Sequence, residues 1–259
     1  MNGSSKRQLI VLGGGPGGYA AAFKAADLGL KVTLVDREEN PGGVCLYRGC
    51  IPSKALLHAA KVIREAENAA DWGLRFGKPQ IDLDRLRDWK NQVVFKLTRG
   101  LGGLCKKRKI ETIRGIAKFT SGSSMIIDRH DGNTEELSFE HAIIAAGALP
   151  AAIPSVSMDS AHVWDSTDSL NLPGLPESLL VIGGGYIGLE QADIYAPLGT
   201  KVTVCEMMPQ LLPGMDEDLV SILTRHMKKQ FEEILLNTKV VRSEETGSGM
   251  KVWFEERGG

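Results

Sequence analysis

The sequence has few of the features that mark secreted, membrane or nucleic-acid-binding proteins. Its 259 residues include only four cysteines, too few for the disulfide framework of a small secreted fold. No stretch approaches the roughly 18 to 20 consecutive apolar residues of a membrane span. The net charge is −1, which provides no general attraction to nucleic acid or to an anionic membrane. We therefore expect a cytoplasmic protein with neither as a partner.

Two segments, 8–36 and 178–206, repeat one pattern. Each runs from an apolar strand through a glycine turn and a helix of small residues to a second apolar strand. The second strand ends in a carboxylate, Asp36 or Glu206, 23 residues beyond the first glycine. The glycines of the two copies are Gly13, Gly15 and Gly18, and Gly183, Gly185 and Gly188.

This pattern is the G-x-G-x-x-G fingerprint in the setting that dinucleotide binding requires. The first glycine permits a tight turn, the second lets the backbone approach a pyrophosphate, and the third lets helix and strand pack closely. The helix N-terminus presents unpaired N–H groups to the phosphates, and the acid accepts hydrogen bonds from a ribose. The alternative is a pair of buried strand-turn-helix units without ligands.

The remaining pattern predicts two domains with a boundary near residue 150, namely 1–150 and 151–259. The second domain has two clear parallel strands and is therefore expected to be incomplete. The other predicted elements are helices over 51–70 and 82–108, a small antiparallel excursion within 110–140, a buried strand in 141–154, an acidic-to-basic helix after the proline-rich loop at 207–213, and a final β-hairpin.

Cys45 and Cys50 form a C-x4-C pair. In a regular helix their Cα atoms would lie about 8 to 9 Å apart, beyond the ~7 Å limit for a disulfide. A redox pair therefore requires a distorted segment, for which Gly49 supplies the freedom. Cys50 would then stand at a helix N-terminus, where the dipole favours a thiolate, with Lys54 on the same face. The alternatives are two buried structural cysteines or a metal site, for which only His58 lies nearby; we predict no metal.

The stretch "GGVCLYRGCIPSKALL", together with the two fingerprints, resembles the pyridine nucleotide-disulfide oxidoreductase family. Over essentially the whole chain the sequence is most similar to the dihydrolipoamide dehydrogenase branch, including "IIAAGA", "VWDSTDSL" and "GGGYIGLE". The resemblance implies an α/β fold with two Rossmann-like, three-layer ββα nucleotide-binding domains. It also implies FAD at the first fingerprint, NAD at the second, and oxidation of protein-bound dihydrolipoamide by NAD+ through a Cys45–Cys50 disulfide.

The resemblance further assigns individual roles. Cys45 corresponds to the thiol that exchanges with substrate, Cys50 to the thiol beside the flavin, and Lys54 with Glu190 to an ion pair near the flavin. The FAD contacts it implies are Gly13, Gly15, Gly18, Asp36, Gly43, Lys54, Ala117, Ala146 and Gly147. The NAD contacts are Gly183, Gly185, Tyr186, Ile187, Gly188, Glu206 and Val240. A carboxylate at Glu206 and no basic residue in 205–213 favour NAD over NADP.

The chain departs from the family pattern in places. Val44, Tyr47 and Arg48 replace a threonine and an Asn-Val pair in the redox motif, and Ala146 replaces a threonine. The chain also lacks the family's H-P-x-x-x-E motif, so we expect it to be truncated at the C-terminus, without the dimerisation domain and its catalytic histidine.

The partners implied are the lipoyl group of a 2-oxo acid dehydrogenase or glycine cleavage complex and, for the full-length protein, a second copy in a homodimer. Two alternatives remain open at this point. One is a disulfide reductase similar to glutathione or mercuric reductase, which an NADPH preference would support. The other is a nucleotide-binding fragment without turnover.

Overall fold

The computed structural model describes residues 6–256. The chain forms two compact units. The first comprises the chain up to Pro52 together with Asn91–Leu149, and the second comprises Ser53–Lys90 together with the chain from Pro150 onward. The segment 53–90 thus groups with the C-terminal half, whereas the sequence predicts a single boundary near 150. The division into domains 1–150 and 151–259 therefore stays a prediction.

The first unit contains a four-stranded parallel sheet. Strand β1 (Arg7–Leu12) lies between β2 (Val32–Asp36) and β5 (Thr134–Ile144), and β2 also pairs with β3 (Glu111–Ser121). Helix α1 (Pro16–Asp27) connects β1 to β2, as a parallel pairing requires. Proline at the first position of α1 costs no hydrogen bond, because that N–H has no partner within a helix.

The strands β3 and β5 are long enough to belong to two sheets. Their parallel-sheet portions continue into antiparallel pairing with β4 (Ser124–Arg129). Alternate residues of the parallel strands pack on opposite sides. Leu9 and Val11 face α1, whereas Ile10 packs with Met125 of the antiparallel sheet. The first unit is therefore a three-layer ββα structure, as predicted.

Three helical segments follow the first βαβ unit. They are α2 (Gly43–Arg48), α3 (Cys50–Asn68), which continues into a 3₁₀ turn at Ala69–Trp72, and α4 (Leu83–Lys107). The helices predicted over 51–70 and 82–108 are confirmed by α3 and α4. Two of the three boundaries between the units fall within these helices, and the third follows Leu149.

The second unit repeats the β-α-β arrangement. Strands β6, β7 and β8 form a parallel sheet in that order, and β9 and β10 form an antiparallel hairpin. Apolar residues of α6, β7 and α7 share one core. The elements are α5 (Ser166–Leu170), β6 (Ser178–Ile182), α6 (Tyr186–Tyr195), β7 (Lys201–Cys205), α7 (Glu217–Met227), β8 (Glu233–Leu235), β9 (Thr238–Thr246) and β10 (Gly249–Glu256).

The structure corrects two details of the sequence prediction. The parallel sheet of the second unit has a third strand, β8, whose three residues are too few to show a period. The strand predicted as buried within 141–154 ends at Ile144, and 141–144 is exposed. In the described sheet this part of β5 pairs with a strand on one side only, so it lies at the edge. An apolar run in the sequence does not show whether a strand is central or at the edge.

Candidate active site

The first glycine loop lies between β1 and α1. Gly13 has a φ of 100°, in the left-handed region that favours glycine. A Cβ on Gly18 would lie 1.7 Å from the carbonyl oxygen of Gly13, so helix and strand approach one another as closely as the fingerprint predicts. Gly15 is the N-cap of α1 and has no side chain to block the first N–H groups of the helix.

The carboxylate of Asp36 stabilises this loop from the end of β2. Its Oδ2 accepts a hydrogen bond from the amide of Gly14 at 2.5 Å, and its Oδ1 accepts one from the amide of Glu38 at 2.8 Å. Each oxygen retains a lone pair for a further donor. The carboxylate therefore lies beside the loop that would hold a pyrophosphate and can accept from the hydroxyls of an attached ribose.

The second glycine loop has the same geometry. A Cβ on Gly188 would lie 2.1 Å from the carbonyl oxygen of Gly183, which has a φ of 111°. The buried carboxylate of Glu206 accepts from the amide of Gly184 at 2.7 Å and from that of Met208 at 2.8 Å. The sequence repeat is therefore also a repeat of hydrogen bonds.

Gly43 joins the redox motif to the first glycine loop. It has a φ of 58°, and a Cβ at this position would lie 2.5 Å from the Cα of Gly15. The preceding residue, Gly42, donates its amide to the carbonyl of Gly14 at 2.7 Å. Only a glycine permits this approach of two backbones, so the start of α2 is fixed against the loop that begins α1.

The two cysteines lie on either side of a helix break. Cys45 is half-buried in α2, α2 ends at Arg48, and Cys50 is the exposed first residue of α3. Gly49 between the helices has φ −143° and ψ −111°. A Cβ there would lie 3.1 Å from the carbonyl oxygen of Val44 and 3.5 Å from the Cα of Cys45. The segment is thus distorted at the residue where a C-x4-C redox pair requires it.

Lys54 and Glu190 both belong to the second unit. Lys54 is exposed on α3, whereas the half-buried Glu190 of α6 accepts a hydrogen bond from Ser53 Oγ at 2.5 Å. Among the described residues Lys54 has no salt bridge. Adjacent positions of a helix point about 100° apart, so α3 directs Ser53 at the carboxylate and Lys54 away from it. The contact between the buried Ser53 and Glu190 was not predicted from the sequence.

The other expected contact residues are dispersed over the two units. In the first, Ala117 is half-buried in β3, and Ala146 with Gly147 follows β5, Gly147 having a φ of 77°. In the second, Tyr186 and Ile187 are exposed on the first turn of α6, and Val240 is buried in β9. Val240 accepts a hydrogen bond from Ser155 Oγ through its carbonyl at 2.9 Å.

A pocket of about 180 Å³ lies in the second unit, next to Glu190. Four residues of α6 line one side, and apolar residues of α3, α7 and the preceding loop line the others. The lining residues are Leu57, Tyr186, Leu189, Glu190, Asp193, Leu212, Leu223 and Met227. The carboxylate of Glu190 therefore adjoins an apolar concavity.

Tyr47 and Arg48 depart from the family pattern, and sequence reasoning assigned them no role. The phenol of Tyr47 donates to the carbonyl of Asn40 at 3.0 Å, and burial raises the pKa of this phenol. Arg48 forms an ion pair with Glu38. Both side chains thus contact the loop between Asp36 and Gly42. The sequence pointed to these two positions only because their residues differ from those usual in the family.

The other two cysteines are buried. Burial raises the pKa of the Cys105 thiol and raises that of Cys205 to about 11. Cys205 donates to the carbonyl of Thr238 at 3.3 Å. Within residues 6–256 no cluster of three or more His, Cys, Asp or Glu side chains could hold a metal ion, and no helix is long and apolar enough to cross a bilayer.

The fold and the two loops define an α/β protein of the FAD/NAD(P)-binding type. The sequence profile of the pyridine nucleotide-disulphide oxidoreductase family matches residues 7–258. The chain belongs to this family, as the redox motif and the paired fingerprints predict.

Individual relatives agree with this assignment. The chain is 46% identical to the dihydrolipoyl dehydrogenase of Vibrio parahaemolyticus and 46% identical to that of Haemophilus influenzae, in each case over 98% of this chain and 53% of the relative. The structure of an HOCl-induced flavoprotein disulfide reductase from Escherichia coli matches with a TM-score of 0.80 at 30% identity, over 96% of this chain and 53% of that one. The chain thus spans about half the length of the relatives it matches.

Proposed function

We propose that this chain is the nucleotide-binding and redox-active part of a dihydrolipoyl dehydrogenase. The observation that carries the proposal is the placement of Cys45 and Cys50 on either side of the helix break at Gly49, in a segment whose start Gly43 fixes against the first glycine loop. The identity of about 46% to dihydrolipoyl dehydrogenases supports this substrate over those of other disulfide reductases.

The first loop is proposed to bind FAD. Gly13 and Gly18 allow close approaches of the backbone that a side chain would block, and the N-terminus of α1, which begins after Gly15, offers N–H donors to the pyrophosphate. Asp36 accepts from the ribose, while Gly43 keeps α2 close to the same loop. The proposed further contacts are Lys54, Ala117, Ala146 and Gly147.

The second loop is proposed to bind NAD, through Gly183, Gly185 and Gly188. Both oxygens of Glu206 are held by loop amides, so the charge has a fixed position for the ribose hydroxyls and would repel a 2′-phosphate. Tyr186, Ile187 and Val240 are the further proposed contacts.

The two cysteines are proposed to carry out thiol–disulfide exchange. A thiolate of dihydrolipoamide attacks the Cys45 sulfur of a Cys45–Cys50 disulfide, forming a mixed disulfide and releasing Cys50 as a thiolate. The second substrate thiol then attacks the substrate sulfur of the mixed disulfide, which releases lipoamide and the Cys45 thiolate. Two electrons and two protons have then left the substrate, and both cysteines are reduced.

Bound FAD would supply the two-electron relay from the reduced cysteines to NAD+. Cys50, which the exchange releases as the leaving thiolate, is the first residue of α3. Lys54 and Glu190 are the further charged residues proposed for the flavin site, and Ser53 Oγ donates a hydrogen bond to Glu190.

The substrate carrier and the location also belong to the proposal. The partner is the lipoyl group of a 2-oxo acid dehydrogenase or glycine cleavage complex, and the whole protein acts as a homodimer. The proposed location is the cytoplasm, where thiols are kept reduced and a disulfide is typically catalytic rather than structural.

Cofactor uptake and thiol exchange test the proposal separately. We expect the purified 259-residue chain to bind FAD, giving a flavin absorbance that dithionite bleaches. We expect dihydrolipoamide to convert one disulfide to two thiols, read as two added alkyl groups at Cys45 and Cys50 by mass spectrometry. A chain that binds no FAD, or whose alkylation dihydrolipoamide leaves unchanged while reducing a control disulfide, would contradict the proposal.

A further inference from the structure

The loop formed by residues 37–42 connects two proposed FAD contacts, Asp36 at its start and Gly43 just after its end. It contains no helix or strand. Its backbone is fixed at two points: the amide of Glu38 donates to Asp36 Oδ1, and the amide of Gly42 donates to the carbonyl of Gly14. Ordering the rest of the loop costs conformational entropy, so contacts from side chains elsewhere help to hold it in one conformation.

Tyr47 supplies one such restraint. Its phenol donates to the carbonyl of Asn40 at 3.0 Å, and its ring lies so close to Gly42 that a Cβ there would meet it at 3.1 Å. One side chain of α2 thus contacts two backbone positions of the loop.

Arg48 supplies the second restraint, and its positive charge offsets that of a carboxylate in the loop. Asp36, Glu38 and Glu39 line a small pocket together with Arg114 of β3. Three carboxylates and one guanidinium leave an excess of negative charge, which would repel the anionic pyrophosphate of a nearby dinucleotide. Arg48 is paired with Glu38, and the Arg48 and Glu38 side chains are only 34% and 20% exposed, so solvent screens this pair less than it screens an exposed one.

We propose that Tyr47 and Arg48 are positioning residues for the flavin nucleotide. Tyr47 fixes the conformation of the 37–42 loop, and Arg48 both anchors the loop and neutralises Glu38 beside the anionic cofactor. The proposal rests on FAD binding at the first glycine loop. It assigns a role to the two positions at which the redox motif departs from the Asn-Val of the family.

The test uses the complete 259-residue chain with the variants Tyr47→Phe, Arg48→Met and Arg48→Met/Glu38→Gln. Arg129→Met is the matched control, because Arg129 is also 34% exposed and pairs with a carboxylate of the same unit, Glu135, at 2.5 Å. We expect Arg48→Met to weaken FAD binding about tenfold at low salt and less at high salt. Adding Glu38→Gln should restore most of the affinity, while Tyr47→Phe should cost about threefold.

Amide hydrogen exchange without flavin provides a second readout. We expect exchange at Glu38 and Gly42 to be about tenfold faster in Arg48→Met and in Tyr47→Phe than in the wild type or in Arg129→Met. Unchanged exchange at both amides, or an affinity loss that Glu38→Gln does not reverse, would overturn the proposal. A wild-type chain that takes up no FAD would instead contradict the proposed function, and the exchange rates would still decide whether the two residues hold the loop.

Discussion

The carboxylate of Glu206 accepts a hydrogen bond from the amide of Gly184 at 2.7 Å. Asp36 and Gly14 form the same bond at 2.5 Å in the other unit. In each case the second carboxylate oxygen accepts the amide two residues beyond the acid. Both loops are therefore held by the same pattern of charge-assisted hydrogen bonds. Equivalent substitutions of the two acids can be compared directly.

Replacing each acid by its amide should separate the two nucleotide sites. A glutamine at 206 has one acceptor oxygen, so either Gly184 or Met208 loses its partner. We expect Glu206→Gln to weaken NAD+ binding about tenfold or more with FAD affinity unchanged. Asp36→Asn should have the opposite selectivity. Calorimetric titration of each variant with NAD+, and flavin fluorescence with FAD, give the two affinities. Equal weakening of both ligands by either variant would contradict separate sites.

The contact between Gly18 and Gly13 predicts a selective loss at the first loop. In Gly18→Ala the new Cβ would meet the Gly13 carbonyl oxygen at 1.7 Å, a separation that forces α1 away from β1. We expect loss of FAD binding and a free energy of unfolding lowered by roughly 1 to 3 kcal/mol, the usual cost of overpacking. Urea unfolding and flavin absorbance measure the two effects.

Gly17 provides the matched control for this substitution. It lies next to Gly18 in α1, and a Cβ there meets nothing within 4 Å. Alanine is favoured over glycine in a helix by about 0.5 to 1 kcal/mol, so Gly17→Ala should retain stability. If Gly17→Ala lowered the stability as much as Gly18→Ala, a general intolerance of the helix would explain both results.

The repeated fingerprint and the helices after the redox motif could be predicted because each depends on local residue types and periods, whereas the ββα layering followed from the resemblance to a family. The side-chain contacts between different helices could not be predicted in this way. The sequence places Ser53 and Lys54 side by side, and only the packing of α3 against α6 determines that Ser53 contacts Glu190. The role of Tyr47 likewise depends on a carbonyl, that of Asn40, which no motif specifies.

Tyr195 should make the stability of the chain fall at alkaline pH. Its buried phenol donates to the carbonyl of Ser169 at 2.7 Å, and burial raises its pKa to about 12. In the unfolded chain the phenol ionises near pH 10, so between about pH 10 and 12 the folded state binds more protons and stability declines with rising pH. Tyr195→Phe lacks this group. Urea unfolding from pH 8 to 11.5 should show the stability deficit of the variant shrinking above pH 10, and a constant deficit would contradict the assignment.

The four cysteines should divide into two reactive and two inert thiols. Cys105 and Cys205 are 1% and 2% exposed, and a pKa of about 11 at Cys205 leaves roughly one thiolate in 10⁴ at pH 7. Cys50 is exposed at the start of α3. After reduction, a short pulse of iodoacetamide at pH 7 should label Cys50 first and Cys45 next, with Cys105 and Cys205 labelled only after unfolding in urea. Peptide mass spectrometry measures the order, and Cys50→Ser should remove the fastest phase. Labelling of Cys205 in the native chain as fast as in urea would show that β7 opens readily and would contradict its place in the core.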